Sequence, residues 1–213
     1  MCGKLTAMTC KTIAANLGKT GLCICPDFLS ANALTRTAND LDVIRADGQF
    51  RRAGVGRGQT HDGAKSVRND ETYWLDRIHQ TTAQQHLWRK IDLLKTAINR
   101  ALFLGLNDFE GHYAAYPTQG HYQRHKDSLR GDSGRVVTFV LYLNRAWKSE
   151  DGGRLRIYAT STAGVDIHTD VDPIGGTLVC FMSGVSEHEV LLSHRPRFSL
   201  TGWFKSAGHG FIA

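Results

Sequence analysis

Two histidines and one aspartate in the second half of the chain are residues that can bind a divalent metal. His125 and Asp127 are two positions apart, and His188 lies in another short strand-like segment. Side chains two apart on a β-strand lie on the same face, so His125 and Asp127 can meet at one point. Two imidazoles and one carboxylate form the facial triad that holds non-haem iron(II) and leaves three coordination positions open. A His-x-Asp triplet alone is common, and a turn or a solvated strand end is its more frequent explanation.

An arginine nine residues after His188 suggests a second kind of chemistry. Arg197 begins a strand-like segment, and the residues that would share its face are Ser199, Thr201 and Trp203. An arginine that points into a protein interior is costly unless an anion meets it. Its guanidinium can form two parallel hydrogen bonds with a carboxylate, which suits the far end of a dicarboxylate cosubstrate. Tyr142, in another apolar segment, could donate a further hydrogen bond to that carboxylate.

Two amphipathic helices are predicted before these segments. The first follows the cap candidate Ser30 and stops at Gly48, with helical spacing at Leu34, Ala38, Leu41 and Arg45. The second has a stronger apolar pattern and is followed by Gly105; its positions are Leu87, Ile91, Leu94, Ile98 and Leu102. Each helix would bury one apolar face, which explains packing but no chemistry.

After residue 108 the pattern changes to short β-like runs separated by Gly, Asp, Ser and Pro. These runs are His112–Tyr116, Val136–Leu143, Arg154–Tyr158, Thr177–Met182, His188–Leu192 and Arg197–Phe204. Helices followed by many short strands predict an α+β fold, a double-sheet barrel flanked by helices. The expected organisation is one domain over residues 1–213, with helical support in 1–107 and a catalytic β-barrel core in 108–206. Residues 160–172 are expected to form a loop.

The composition is that of a soluble globular protein, with 41% hydrophobic and 22% charged residues among 213. The first residues lack the apolar core of a signal peptide, and the run Val136–Leu143 is too short to span a bilayer. Five cysteines, at positions 2, 10, 23, 25 and 180, have no disulfide-scaffold spacing. These features predict a cytoplasmic protein with free thiols and no membrane partner.

A Gly-rich stretch from residue 51 to residue 70 carries much of the net charge of +6. Its basic residues are Arg51, Arg52, Arg57, Lys65 and Arg68. Gly54, Gly56 and Gly58 resemble a weak phosphate-binding loop, but a dinucleotide fingerprint needs a helix directly after it, and more polar sequence follows here. A mobile basic surface loop is the better interpretation.

From Tyr113 to Phe204 the sequence resembles the 2-oxoglutarate-dependent prolyl 4-hydroxylases. Within that family it is most similar to the oxygen-sensing prolyl hydroxylases and their compact bacterial relatives. The matching segments are Ala114–Asp127, Val140–Trp147, Gly152–Arg156, His188–Val190 and Arg197–Trp203. The resemblance implies a double-stranded β-helix of the jelly-roll or cupin type, with helices at its N-terminal side.

The resemblance also implies roles for individual residues. His125, Asp127 and His188 match the iron ligands, and Arg197 matches the arginine that pairs with the far carboxylate of 2-oxoglutarate. Residues matched to the cosubstrate pocket are Tyr116, Val140, Tyr142, Leu155, Val190 and Thr201. Residues assigned to substrate binding are Arg57, Asp70, Tyr122, Arg135 and Trp203, and Asp70 is expected to pair with Arg135. The other nearby histidines, which are expected to be local hydrogen-bond partners or exposed, are His112, His121, His168 and His194.

The implied reaction uses Fe(II), 2-oxoglutarate and O2, with ascorbate as reductant, and releases succinate and CO2 as it hydroxylates a prolyl residue of another protein. The bacterial relatives are associated with elongation factor Tu, which is the expected substrate here. The animal relatives act on the hypoxia-inducible transcription factor. The loop 51–70 is expected to close over the substrate peptide, with Arg57 and Lys65 selecting the partner.

Three other functions fit parts of this pattern. A nucleic-acid demethylase uses the same iron chemistry, but its pattern has a second arginine where this chain has Trp203, so a nucleic-acid partner is not expected. A cupin-like isomerase or small-molecule hydroxylase is a second option, but Arg197 favours an enzyme with a 2-oxo acid cosubstrate. A non-catalytic binding module would have lost a metal ligand, whereas all three are present.

Overall fold

The computed structural model describes residues 7–54, 67–127, 134–160 and 166–207. In these ranges the helices are α1 (Ala7–Thr20), α2 (Ala31–Ala46) and α3 (Thr82–Leu102), with a short 3-10 helix at Ser149–Asp151. Among the described helices, none has the length and apolar character needed to cross a membrane.

Eleven strands follow one another along the described residues. They are β1 (Leu22–Cys25), β2 (Arg51–Arg52), β3 (Glu71–Trp74), β4 (Leu106–Tyr116), β5 (Tyr122–His125), β6 (Arg135–Tyr142), β7 (Leu155–Thr160), β8 (Asp166–Val171), β9 (Leu178–Met182), β10 (His188–Val190) and β11 (Arg197–Ser206). Seven strands form one sheet in the order β1-β9-β6-β11-β4-β3-β2, and four form a second sheet in the order β5-β10-β7-β8.

Both predicted helices are present, and their ends follow local capping chemistry. The Ser30 side chain accepts a hydrogen bond from the Ala33 amide at 3.4 Å and begins α2. A reciprocal pair of hydrogen bonds between Thr81 and Gln84 begins α3, one turn before the first apolar position of the predicted pattern. The apolar pattern therefore placed α3 correctly but did not indicate where the helix begins.

The alternation along β6 shows how the larger sheet separates two apolar regions. Val137, Phe139 and Leu141 pack with the three helices on one side. On the other side, Val140 and Tyr142 pack with residues of the smaller sheet, among them Leu155, Ile157 and Val190. The helices thus cover the outer face of the larger sheet, and the space between the sheets is the interior, as the predicted α+β barrel requires.

The loop expected at 160–172 is a wrong prediction, because residues 166–171 form β8 and pair with β7 over six positions. Strand β8 lies at the edge of the smaller sheet, and its residues 167–170 are exposed. An exposed edge strand lacks the apolar alternation on which the prediction depended, so only its pairing identifies it.

Candidate active site

His125, Asp127 and His188 come together at one end of the interior. His125 ends β5 and is paired directly with His188 of β10, while Asp127 follows two residues after His125. The His125 Nε2 is 3.7 Å from Asp127 Oδ1, and the His188 Nε2 is 3.5 Å from Asp127 Oδ2. One possible ligand atom from each side chain lies within 4.8 Å of the other two. The geometry predicted from their spacing is therefore present.

A threonine of the facing sheet holds the carboxylate of Asp127. Thr138 Oγ1 donates a hydrogen bond to Asp127 Oδ2 at 2.7 Å and lies 2.9 Å from Ser183 Oγ. Thr138 is completely buried. The contact fixes the carboxylate through Oδ2, the oxygen nearer His188, while Oδ1 is the oxygen nearer His125. The sequence analysis did not single out Thr138.

The protonation states of Asp127 and His188 suit a metal. Burial alone would raise the pKa of Asp127, but the His188 and His125 imidazoles and the Trp203 indole hold that pKa below its usual range. Burial lowers the pKa of His188 to about 4, although the Asp127 carboxylate opposes this. A carboxylate and a neutral imidazole are the forms that bind a metal at neutral pH.

Backbone carbonyls orient both imidazoles. His125 Nδ1 lies 2.7 Å from the Gln123 carbonyl, and His188 Nδ1 lies 3.5 Å from the Ser186 carbonyl. A carbonyl accepts only from a protonated Nδ1, which leaves the Nε2 lone pair of each ring directed toward Asp127. Two such nitrogens and a carboxylate fit iron(II). Within the described residues this is the one group of three or more His, Cys, Asp or Glu side chains so placed.

Arg197 lies in the same interior, and its guanidinium still has a hydrogen-bond donor without a partner among the described residues. Its side chain is 1% exposed, and its Nε donates to the Gly153 carbonyl at 2.9 Å. The rings of Tyr116 and Tyr142 lie 5.1 Å from its central carbon. Among the described residues, Nη2 has no hydrogen-bond partner and Arg197 forms no ion pair. A buried cation in this state fits an anionic ligand.

Two tyrosine hydroxyls beside Arg197 remain protonated at neutral pH. Burial raises the pKa of Tyr142 to about 12, with Arg197 opposing part of that shift. Burial likewise raises the pKa of Tyr116. The Tyr142 hydroxyl has no hydrogen-bond partner in the part of the chain that is described, so its O–H is available to a ligand carboxylate.

The remaining residues expected around the cosubstrate line the same space. Val140, Leu155 and Val190 belong to one buried apolar cluster that also contains Tyr116 and Tyr142. Thr201 is opposite Val140 in the pairing of β11 with β6, and its hydroxyl lies 3.4 Å from that of Ser199. The interior is thus apolar along its walls and polar at the Arg197 end.

Trp203 lies at the metal end of the interior, where Arg135 covers it. The Arg135 guanidinium is 3.6 Å from the Trp203 ring centre, and its Nε donates to Glu110 at 2.7 Å. The expected pairing of Asp70 with Arg135 is wrong. Asp70 is instead held by Arg68, whose Nε and Nη2 each donate to it at 2.6 Å. Asp70 is buried beside Arg68, whereas Arg135 has the partly exposed Glu110 as its partner.

His112 is a residue that the sequence analysis did not assign to the interior. It lies in β4 on the face of Ala114 and Tyr116, which belong to the interior cluster, and its ring packs 4.8 Å from Trp74 and 5.6 Å from Trp203. Burial lowers its pKa to about 3, and its Nδ1 has no partner among the described residues. Of the two expectations for His112, an exposed position is wrong, because the residue is buried. The signal in the sequence was the alternation of His112, Ala114 and Tyr116 at intervals of two, which places all three side chains on one face of β4.

The remaining predicted residues have different outcomes. Tyr122 packs against His125, with ring centres 3.6 Å apart. His168 is exposed on β8, as expected. Arg57 and Lys65 lie outside the described residues.

Thr138 offers a test of the site that leaves the ligands in place. Replacing Thr138 with valine keeps the shape and removes the hydrogen bond to Asp127. Because such supporting contacts typically contribute 10- to 100-fold to metal affinity, we expect Fe(II) to bind roughly tenfold more weakly. Anaerobic calorimetric titration measures this. Ser183→Ala, which removes a hydroxyl that touches Thr138 but not Asp127, should have a smaller effect; a larger effect for Ser183→Ala would contradict the assigned role.

Comparison with known proteins identifies relatives over this same region. Residues 111–205 match the family model described as the 2OG-Fe(II) oxygenase superfamily. Human Egl nine homolog 1 is 28% identical over 204 residues, covering 90% of this chain and 45% of that protein. The chain spans about half the length of the curated relatives it matches first.

Two solved structures resemble the whole fold. A Pseudomonas putida prolyl-4-hydroxylase is 38% identical with a TM-score of 0.82, and the match covers 93% of this chain and 100% of that one. A Trichoplax adhaerens prolyl hydroxylase, solved with a peptide fragment of the hypoxia-inducible factor oxygen degradation domain, is 25% identical with a TM-score of 0.83, covering 94% and 90% of the two chains. The double-stranded β-helix is thereby confirmed. The chain belongs to the prolyl 4-hydroxylase family of the 2OG-Fe(II) oxygenase superfamily.

Proposed function

We propose that this chain is a protein prolyl 4-hydroxylase that uses O2 and 2-oxoglutarate and releases succinate and CO2. The observation that carries the proposal is the pairing of a His-Asp-His group with a buried arginine in one interior. The triad alone would serve many metal reactions. Among the described residues, Arg197 Nη2 and the Tyr142 hydroxyl have no hydrogen-bond partner, and this favours a ligand with a carboxylate.

His125, Asp127 and His188 would hold Fe(II) through two Nε2 atoms and a carboxylate oxygen. When bound, Fe(II) supplies the activation of O2 that couples oxidation of 2-oxoglutarate to hydroxylation of a carbon. One oxygen atom enters succinate and the other enters the proline, so the reaction is balanced without another oxidant.

The protein's own residues would fix the position of the cosubstrate. Arg197 would form charge-assisted hydrogen bonds with the far carboxylate, and Tyr142 would donate a further one. The guanidinium is already held by Gly153 and two aromatic rings, so little side-chain freedom is lost on binding. The apolar walls formed by Val140, Leu155 and Val190 exclude water from the reacting end.

The substrate proline would enter beside Trp203. Its indole lies near the Asp127 carboxylate, and Arg135 stacks on its ring. Trp74 is half-exposed and packs 6.2 Å from Trp203, so an aromatic surface continues from the metal end toward solvent. Flat aromatic surfaces suit the apolar face of a prolyl ring. Asp70 and Tyr122 would support this entrance through Arg68.

Elongation factor Tu is the protein substrate that we propose. The resemblance to bacterial single-domain prolyl hydroxylases supports it, as does the match over the full length of the Pseudomonas putida chain. Ascorbate would keep the iron reduced between turnovers.

A single experiment tests both the reaction and the substrate. The protein is loaded anaerobically with Fe(II) and 2-oxoglutarate and mixed with purified elongation factor Tu or a hypoxia-inducible factor peptide, and O2 is admitted. We expect succinate together with a proline of elongation factor Tu that gains one oxygen atom, measured by mass spectrometry. Oxidation of the peptide alone would reject elongation factor Tu, and succinate without any oxidised proline would reject the prolyl hydroxylase.

A further inference from the structure

Strand β5 contains an irregularity that places two rings on one side. In the pairing with β10, His188 is opposite His125 and Val190 is opposite Tyr122. An interval of three residues on β5 therefore faces an interval of two on β10, which is a β-bulge. In a regular strand, residues three apart point to opposite faces. The bulge brings the side chains of Tyr122 and His125 to the same side.

The two rings form a close parallel stack. Their centres are 3.6 Å apart and their planes differ by 15°. The guanidinium of Arg68 also lies over the Tyr122 ring, with its central carbon 4.3 Å from the ring centre, and because His125 fills one face of that ring the guanidinium must take the other. A cation over an aromatic face is attractive, and the attraction is stronger when the pair is partly removed from water. The order of the stack is Arg68, Tyr122, His125.

Arg68, the outer member of this stack, is held by both backbone and side-chain contacts. Arg68 donates two hydrogen bonds at 2.6 Å to Asp70, which is 2% exposed. Arg68 and Tyr122 also form an isolated antiparallel bridge, and the Gln123 amide donates to the Val67 carbonyl at 2.8 Å. The guanidinium therefore cannot move away from Tyr122 without breaking an ion pair and backbone contacts.

His125 has more need of such support than His188 has. The His188 side chain is 6% exposed and packs 4.7 Å from the Phe181 ring. The His125 side chain is 18% exposed, and the hydrogen bond that its Nδ1 forms with the Gln123 carbonyl fixes an edge of the ring but not its plane. The stacked tyrosine fixes that plane.

We propose that Tyr122 is a positioning residue that holds the His125 imidazole in the orientation that binds metal, as the middle member of the stack from Arg68 to His125. The proposal rests on the proposed function, since it assumes that His125 is a metal ligand. It gives Tyr122 a different role from the substrate contact expected from sequence resemblance. The two roles predict different measurements, because positioning acts on metal affinity before any substrate is present.

The test uses the full chain and Mn(II) alone, with the unbound ion measured by electron paramagnetic resonance. We expect Tyr122→Leu to weaken Mn(II) binding about tenfold, in line with other contacts that orient metal ligands. Tyr122→Phe keeps the planar ring and should stay within about twofold of the wild type. Tyr122→Met fills similar volume without a ring and should behave like Tyr122→Leu, which keeps the test decisive if the leucine variant fails to fold.

Tyr158 provides a matched control in the same sheet. It also lies under an arginine, with Arg124 3.8 Å from its ring centre, but the structure records no stacking of its ring on His125 or His188. Tyr158→Leu should therefore leave Mn(II) affinity within about twofold of the wild type. Wild-type Mn(II) affinity in a folded Tyr122→Leu or Tyr122→Met would overturn the positioning role alone. Failure of the wild type to bind Mn(II) would overturn the proposed function as well.

Discussion

Replacement of His188 with alanine is expected to abolish turnover of 2-oxoglutarate. The variant loses one of three ligands, and the remaining His125 and Asp127 provide only two. Because changes to supporting contacts already reduce metal affinity by 10- to 100-fold, loss of a ligand should reduce Fe(II) affinity by at least about 100-fold. Anaerobic Fe(II) titration and succinate production measure the two effects. A variant that keeps more than a tenth of wild-type turnover would contradict the assignment of His188.

The control for this variant is a histidine of the same sheet. His168 lies exposed on β8, so His168→Ala should leave both Fe(II) affinity and succinate production unchanged. Circular dichroism and thermal unfolding of His188→Ala separate lost metal binding from lost folding. His188 is buried against Phe181, so some loss of stability is expected even where the fold is retained.

Replacement of Arg197 with leucine is expected to raise the KM for 2-oxoglutarate by about 100-fold, because hydrogen bonds to charged groups contribute roughly 1.5–3 kcal/mol. The same change should not destabilise the protein without cosubstrate. Arg197 forms no ion pair among the described residues, and an apolar side chain avoids the cost of burying its charge. Steady-state kinetics measures the rise in KM, and thermal unfolding without cosubstrate shows whether stability is retained.

Arg195 is the matched control for Arg197. It lies two positions earlier, is partly exposed and pairs with Asp151 at 3.3 Å. Arg195→Leu should leave the KM for 2-oxoglutarate close to the wild-type value. An equal rise in KM for both variants would mean that net charge, and not a carboxylate contact at Arg197, determines affinity for the cosubstrate.

The grouping of His125, Asp127 and His188 and the burial of Arg197 are the parts of the candidate site that residue type and spacing indicated. Residues two apart share one face of a strand, which brings His125 and Asp127 together and places Arg197 on the face of Ser199 and Thr201. The helix α2 was likewise predictable from its cap at Ser30 and its apolar spacing. These features depend on residues that are close together in the sequence, so a single sequence is enough to indicate them.

Features that depend on pairing between distant strands could not be predicted. The stack of Tyr122 on His125 requires the bulge in β5, and the bulge exists only relative to β10. The wrong partner assigned to Asp70 has a different cause: its ion pair with Arg68 is local, but residue spacing alone does not show which arginine the carboxylate contacts. Thr138 reaches Asp127 from the facing sheet. None of these contacts leaves a periodic signal in the sequence.

The central claim is that one interior holds Fe(II) at His125, Asp127 and His188 and 2-oxoglutarate at Arg197. Anaerobic addition of Fe(II) and 2-oxoglutarate to the full chain tests it directly, because a 2-oxo acid chelated to iron(II) gives a visible charge-transfer absorption. We expect this absorption to saturate at one Fe(II) and one 2-oxoglutarate for each chain, and to be missing in His188→Ala. A chain that gives no such absorption, or gives it equally in His188→Ala, would contradict the account.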